Sequence, residues 1–495
     1  MEMKIRLGDL PNYEKADTSE GSLAYKVRNN HFHIDKLPTR GLQKEFYDFI
    51  MHRATVITFL SMRSDLGQFG VVCQFLSDRF SDMESLLEQP EDMLVKEMKK
   101  WLMKNGRSVT SRHTSKRMNK DKMNESVYVR YLRKAYKFLE PEDNRPEREK
   151  DVWRLDKLGL MLTDNPIKNT ETLNFTKIHQ DGIRQEVKDA SYMELQTRAV
   201  GTVCAELVAV NRFSSYLAEN FVEVHSLADV DRAVVESYII YLNTETVDRQ
   251  SYRSDVFHLK SVMDLVGRMI GKTELCNLFL LSDIPKQAEK LYKAYSDAEL
   301  VRLNSAIVEV DVQVARALVL HQMLGTRISD TLTLMQDCVY EKNGKLMIKI
   351  YQIKSRRSYH KTINEDVAAI INAATAYTKE HSPDSPYVFA HDKDANRPMS
   401  YTKVQYQLMA IISERDLRDD NGELFGVGTH IFRHTYGKKL TDMHVDDATI
   451  AKLLGHANTS SVKYYRKMSN AQLADETKEI RQSMDEILKN LIKGW

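Results

Sequence analysis

Apolar residues return at steps of three and four along much of the chain, the spacing that lines one face of an α-helix. Between 71 and 87, Val72, Phe75, Leu76, Phe80, Met83 and Leu87 keep that rhythm, and Val203, Leu207, Val210, Phe213, Leu217 and Phe221 repeat it later. With 10 prolines and 19 glycines in 495 residues, there is little to interrupt it, and helices are expected over most of the chain. The two regions also match in order. FGVVCQFLSDRFSDMESLLEQ is echoed by LVAVNRFSSYLAENFVEVHSL, and each leads to a segment ending in an aromatic–leucine step, Trp101–Leu102 and Tyr241–Leu242. Two readings stay open: a duplicated helical module, or two unrelated amphipathic helix pairs.

The period changes once. After a helix expected through Arg327 and Leu334, the run GKLMIKIYQI (344–353) sets Leu346, Ile348 and Ile350 against Lys345 and Lys349, the two-residue alternation of a strand. A basic turn at Ser355–Ser358 and the segment Tyr359–Ile363 make it a hairpin, and helices resume near 365. The acidic, proline-bearing stretch EPEDNRPEREKD (140–151) reads as a linker. A second boundary falls near Pro285, ahead of a capping box at Ser296–Glu299. The expected organisation is an N-terminal helical domain at 1–145, connecting structure at 146–184, a helical domain at 185–285 and a mixed domain at 290–495. The fold class is mainly α with a small antiparallel β-sheet in the last domain. At its end, Leu473, Ile480, Met484, Ile487, Leu488 and Leu491 form a helical stripe, to be covered either by its own domain or by a neighbouring subunit.

Composition narrows the setting. No apolar run approaches the roughly 20 residues that span a bilayer, and the start MEMKIRLGDLPNYEK has no apolar signal segment. A cytoplasmic protein without membrane association is expected. Cys73, Cys204, Cys276 and Cys338 form no paired motif, so they read as reduced thiols rather than disulfides or a metal site. Net charge is only +2, yet nine Lys or Arg fall between Lys99 and Lys122 against one acid, Asp121. Arg112, Lys116 and Arg117 are the centre of that cluster. A second knot joins Lys354, Arg356, Arg357 and Lys361. Such clusters on a near-neutral chain are either phosphate-facing patches or solvated faces.

Three segments then carry groups suited to phosphate chemistry. LGTRISDTLTLMQD sets Arg327 at a helix start with Asp330 one turn on. QIKSRRSYHKTI offers Lys354 at the hairpin, with Lys361 on the return strand as its rival. THIFRHTYGKKL holds His430 and Arg433 three apart, and LLGHANTSSVKYYRKM follows with His456 and, nine residues on, Tyr465. Breaking a phosphodiester without metal or cofactor needs a nucleophile, cations for the non-bridging oxygens and a proton for the leaving oxygen. Arginine forks suit the oxygens, and histidine and lysine suit the proton.

In family order and spacing, these residues resemble the tyrosine recombinases, the phage-integrase family. The tail VKYYRKMSNAQLADETKEIR is similar to transposon-encoded members. The resemblance is strongest over 290–480 and continues through 185–285, which resembles the helical core-binding domain of that family. It implies that Arg327 and Arg433 clamp the scissile phosphate and His456 adds a hydrogen bond. Lys354 would be the general acid, His430 a base or phosphate ligand, and Asp330 the orienting carboxylate. Tyr465 would form a 3′-phosphotyrosyl bond. Tyr464 is its neighbour, about 100° away on a helix, so only one of the two can face the phosphate. Arg112, Lys116, Arg117, Arg356 and Arg357 would be further DNA contacts. The implied reaction uses no cofactor, metal or ATP. The implied partners are double-stranded DNA at inverted-repeat sites and a homotetramer on synapsed DNA, with sister recombinases as an option. A type IB topoisomerase-like enzyme and a non-catalytic DNA-binding protein are the competing classes.

Overall fold

The computed structural model describes residues 4–115, 120–168, 170–244, 251–286, 293–426, 428–467 and 469. They divide into two compact units, Met1–Asn144 and Arg145–Trp495. The architecture is mainly α-helical with small antiparallel sheets.

In the first unit β1 (Lys4–Arg6) pairs with β2 (His31–His33) across the short helix α1 (Leu23–Val27). Helices α2 (Arg40–Val56), α3 (Phe59–Arg79), α4 (Glu91–Lys104) and α5 (Val127–Leu139) follow, with the hairpin of β3 (Thr110–Ser115) and β4 (Lys120–Glu125) between the last two. Thr39 and Thr58 start α2 and α3 by accepting the backbone N–H of Leu42 and Ser61, donors that the first turn otherwise leaves unpaired. The periodic run expected over 71–87 breaks after Arg79. Phe80 leaves helical backbone, and Met83 and Leu86 rejoin the core from a turn. Phe32, Phe46, Phe69, Phe75, Trp101 and Tyr131 fill that core. Each is worth on the order of 2–3 kcal/mol of apolar burial.

The second unit opens in the same manner. β5 (Val152–Arg154) pairs with β6 (Thr172–Asn174), and α6 (Asp181–Leu195), α7 (Val200–Asn220), α8 (Arg232–Thr244) and α9 (Arg253–Met269) surround Trp153, Phe175, Phe213 and Tyr238. The stretch 146–184, read above as connection, thus supplies both strands and part of this core, and its Ile167 enters the next one.

That next core lies under α10 (Asp297–Ile307), α11 (Val312–Leu324) and α12 (Ile328–Leu332). A sheet follows in the order β7 (Val339–Lys342), β8 (Lys345–Gln352), β9 (Arg357–Thr362), all antiparallel. Ile348 and Ile350 face inward and are fully buried. Helices α13 (Glu365–His381), α14 (Tyr401–Glu414), α15 (Thr429–Asp442) and α16 (Asp447–Leu453), then a helical segment at 462–467, complete the described chain. The capping box at Ser296 and Glu299 is present. The single helix expected through Arg327 is not. Gly325 takes a left-handed φ of 61°, which ends α11, and Arg327 caps a separate short helix. β7 was not anticipated, nor was the β3–β4 hairpin. Among the described residues no helix is long and apolar enough to cross a membrane, and all four cysteines are free thiols. Lys116, Arg117 and the stripe from Leu473 to Leu491 lie outside the described residues.

Candidate active site

The site is built where three chain turns meet: Leu324–Arg327, the β8–β9 turn that carries Lys354, and Leu454–His456. The first is the left-handed break Leu324–Arg327. Gly325 is required there twice over, because a Cβ would also sit 2.4 Å from the Tyr436 ring. The break delivers Arg327 to the N-terminus of α12, with its guanidinium 3.7 Å from Asp330. Asp330 is fully buried and accepts from Ser329 Oγ (3.1 Å) and from the Ile353 N–H (3.3 Å). It therefore ties Arg327 to the strand end that carries Lys354. Burial raises the Asp330 carboxyl above its ordinary range, and the Arg327 charge opposes that rise.

Arg433 is the most enclosed cation, 3% exposed. Its Nη1 donates to Gly325 O (2.9 Å) and its Nη2 to Leu454 O (2.8 Å). Both bonds go to carbonyl oxygens. Among the described residues no carboxylate lies within ion-pair distance, so the guanidinium keeps its full charge. Burial pushes its pKa down, Arg327 repels it further, and the Tyr465 hydroxyl is near enough for a phenolate there to be stabilised. Two arginines facing one pocket with the single carboxylate of Asp330 between them leave an excess positive charge, an anion site.

The third turn is Leu454–His456. Gly455 has φ of 65°, and a Cβ on it would meet Gln352 Nε2 at 2.4 Å and the Tyr359 ring at 3.0 Å. The turn aims the His456 ring at Tyr465, centroids 6.3 Å apart. Of the adjacent tyrosines, Tyr464 is 47% exposed, whereas Tyr465 is 3% exposed and faces Arg433. Its ring lies over Gly437, where any Cβ would come within 2.9 Å of it.

His430 lies at the start of α15, and partial burial, then the charges of Arg433, Arg327 and Lys354 (exposed in the β8–β9 turn), lower its pKa. One turn on, His434 stacks with His430 (6.0 Å) and lies 6.0 Å from the Tyr465 ring. Burial, then neighbouring positive charge, lowers His434 and His456 to about 4. Without an anion present, these imidazoles are neutral at pH 7 and able to accept a proton.

His434, Gly437, Gln352 and Tyr359 escaped the sequence reading. His434 had a visible signal, the i, i+4 spacing from His430 on one helix face. His321 was missed too. It is buried, its Nε2 within 2.8 Å of the Thr429 carbonyl, and so it holds the start of α15.

Lys361, the rival lysine, is buried on β9 and donates to Leu324 O and Tyr436 Oη, both at 2.8 Å. It braces the Gly325 break rather than facing the opening. Burial and Arg433 lower its pKa to about 8. Between pH 8 and the ordinary lysine value near 10.4 the folded chain releases this proton while the unfolded chain retains it, so stability should rise with pH across that window. Relative to Lys361→Met, the wild type should gain on the order of 1–3 kcal/mol from pH 7.5 to 9.5 in denaturant titrations. A constant difference would contradict the assignment. Arg356 at the hairpin tip donates to Thr163 Oγ1 (2.6 Å), and Arg357 is exposed on β9. Arg112 is exposed on β3 in the first unit.

Residues 285–472 match the model of the phage integrase family. Transposase B from transposon Tn554 of Staphylococcus aureus is 24% identical over 419 residues, 83% of this chain, and the match spans 66% of that protein. Tyrosine recombinase XerC of Lacticaseibacillus casei is 24% identical over 299 residues, 58% of this chain and 94% of that one. Among solved structures, the XerH site-specific recombinase bound to a palindromic difH substrate aligns with a TM-score of 0.47 at 15% identity, covering 61% of this chain and 91% of that one. Residues 285–472 of this chain are a phage integrase family domain, the domain of the tyrosine recombinases.

Proposed function

We propose that the chain is a site-specific DNA recombinase of a mobile element, which cleaves and rejoins DNA through a 3′-phosphotyrosyl intermediate at Tyr465. The observation that carries this reading is the buried Arg433, whose two hydrogen bonds go to carbonyl oxygens and which lies within electrostatic reach of Arg327, Asp330 and Tyr465. Arg327 and Arg433 would bind the non-bridging oxygens of the scissile phosphate, and His456 would donate a further hydrogen bond. The Tyr465 oxygen attacks phosphorus, the bond to the 5′-oxygen breaks, and Lys354 gives that oxygen its proton. A neutral imidazole, His430 or His434, takes the phenol proton. Phosphate binding favours this transfer, because its negative charge offsets the two arginines that hold the imidazole pKa values down. Since the phosphotyrosyl bond stores the energy of the broken one, resealing needs no ATP, and the arginines do the work a metal would otherwise do.

The reading extends to integration, excision or transposition, with duplex DNA at inverted repeats as substrate and a tetramer of this chain, with or without sister recombinases, as the working assembly in the cytoplasm. The relation to Tn554 transposase B supports the mobile-element role. Arg356 and Arg357 would track the backbone beside the cleavage point, Arg356 exchanging Thr163 for phosphate. The test is a nicked suicide duplex carrying the element end. A covalent protein–DNA adduct with a free 5′-hydroxyl is expected on that duplex and not on one of unrelated sequence. Equal adduct on both, with relaxation of supercoils lacking paired sites, would favour a topoisomerase instead.

A further inference from the structure

We infer that the first unit is a second copy of the helical module at Val152–Met269, and that it is a second duplex-DNA-binding unit whose added contact is the basic β3–β4 hairpin. The DNA part rests on the recombinase reading just given and on the resemblance of 185–285 to the helical core-binding domain of that family.

From β2 and β6 to the starts of α4 and α8 the two copies run at a constant offset of 141 residues. Helices α2 and α6 begin at Arg40 and Asp181, α3 and α7 at Phe59 and Val200, and α4 and α8 at Glu91 and Arg232. Helix lengths alone would be weak support, because amphipathic helices are common. The side-chain devices between them are not. Glu45 accepts from Ser85 Oγ (2.5 Å) and the Leu86 N–H (3.0 Å), and Glu186 accepts from Ser226 Oγ (2.5 Å) and the Leu227 N–H (2.8 Å). Glu88 and Asp229 close the same capping box on each corner. Gly41 and Gly182 lie so close to the carbonyls of Glu84 and His225 that a Cβ would sit 2.0 and 2.5 Å away. Phe80 and Phe221 end α3 and α7, each donating its N–H to a leucine carbonyl at 2.8 Å. Gln43 donates to Leu37 O, and Arg184 to Ile178 O. All of these pairs obey the same offset (186 − 45, 226 − 85, 182 − 41, 221 − 80 and 184 − 43 are each 141).

The copies diverge at two connections: β1 to β2 spends residues 7–30 and β5 to β6 spends 155–171, a difference of 24 − 17 = 7 residues, and the larger divergence follows α4 and α8. From α4 to α5 the chain spends residues 105–126, and from α8 to α9 it spends 245–252, a difference of 22 − 8 = 14 residues. In the first copy that extra length holds β3 and β4. Residues 110–125 contain Arg112, Lys116, Arg117, Lys120 and Lys122 against Asp121 and Glu125, and Glu125 is occupied by Lys99 and Arg133. A two-stranded ribbon fits the major groove, and its excess positive charge suits phosphates.

The full chain is tested on two duplexes, one of core-site length and one extended by flanking element DNA. The charge variant carries Arg112→Glu, Lys120→Glu and Lys122→Glu. A second variant shortens 105–126 to the eight-residue connection of the later copy, a length that copy already accommodates. Both should weaken binding to the extended duplex at least ~30-fold at 0.1 M salt and flatten its salt dependence by about three units of slope. Adduct yield on the core-length suicide duplex should be unchanged. Unaltered affinity and slope on the extended duplex would overturn the proposal, as would an equal loss on both duplexes or a loss of RNA binding alone. Failure of the wild type to form any adduct would instead strike the underlying catalytic reading.

Discussion

Arg433→Ala is expected to lower strand cleavage by ~10³-fold or more, since loss of an arginine that stabilises phosphoryl transfer costs about 10³–10⁵. Two effects combine. The phosphate loses its most enclosed cation, and the carbonyls of Gly325 and Leu454 lose the donor that holds two of the three site turns together. Stranding two buried carbonyls costs about 1–3 kcal/mol each before relaxation, so a stability loss of roughly 2–4 kcal/mol should accompany the kinetic one. Arg433→Lys separates the two. Lysine restores a charge but not a planar fork that can bridge two carbonyls and a phosphate, so cleavage should stay at least ~10²-fold down. Single-turnover cleavage and denaturant titration measure both parts, and cleavage within tenfold of wild type for the alanine variant would remove Arg433 from the phosphate site.

Tyr465→Phe should abolish adduct formation, a loss of ~10⁴-fold or more, while leaving DNA affinity within about twofold. Because the ring is retained over Gly437, the stability change should stay below ~1 kcal/mol, which excludes misfolding as the cause. Tyr464→Phe should cleave within about threefold of wild type, because that side chain is 47% exposed whereas Tyr465 is buried in the site. A gel assay of covalent complex on the suicide duplex reads all three proteins side by side. The reverse pattern would transfer the nucleophile to Tyr464.

What was legible in the sequence was local. The strand at 345–352 was visible because Ile348 and Ile350 alternate with lysine and tyrosine, and the capping box at Ser296 because its two residues are three apart. The β3–β4 hairpin was not visible, since TSRHTS and KDKMNE offer no alternating apolar run to mark them as strands. The break at Gly325 was legible only in part: LGTRISD set Arg327 at a helix start, but Leu324 and Ile328 keep helical spacing across the break, and the left-handed φ and the Tyr436 ring that require glycine there show only in the structure. At the site, the order of motifs supplied Arg327, Lys354, His430, Arg433, His456 and Tyr465, but not how they are held. Gln352, Tyr359, Gly437 and His321 act through contacts between segments up to about 100 residues apart, which no spacing rule records. The choice between Lys354 and Lys361 had the same character. Burial of Lys361 against Leu324 and Tyr436 could not be read from a strand in which both lysines look alike.

The internal echo was legible only as a likeness of two helix pairs. The recurring Glu45 and Glu186 corners gave it a physical basis, because a carboxylate that grips the same serine and leucine in both copies specifies a fold rather than a pattern.

The most direct test is to digest the covalent adduct with protease and nuclease and map the modified residue by mass spectrometry. The account predicts a single peptide carrying the 3′-phosphate remnant on Tyr465. A remnant on Tyr464, on a serine or on any residue outside 462–467 would contradict it.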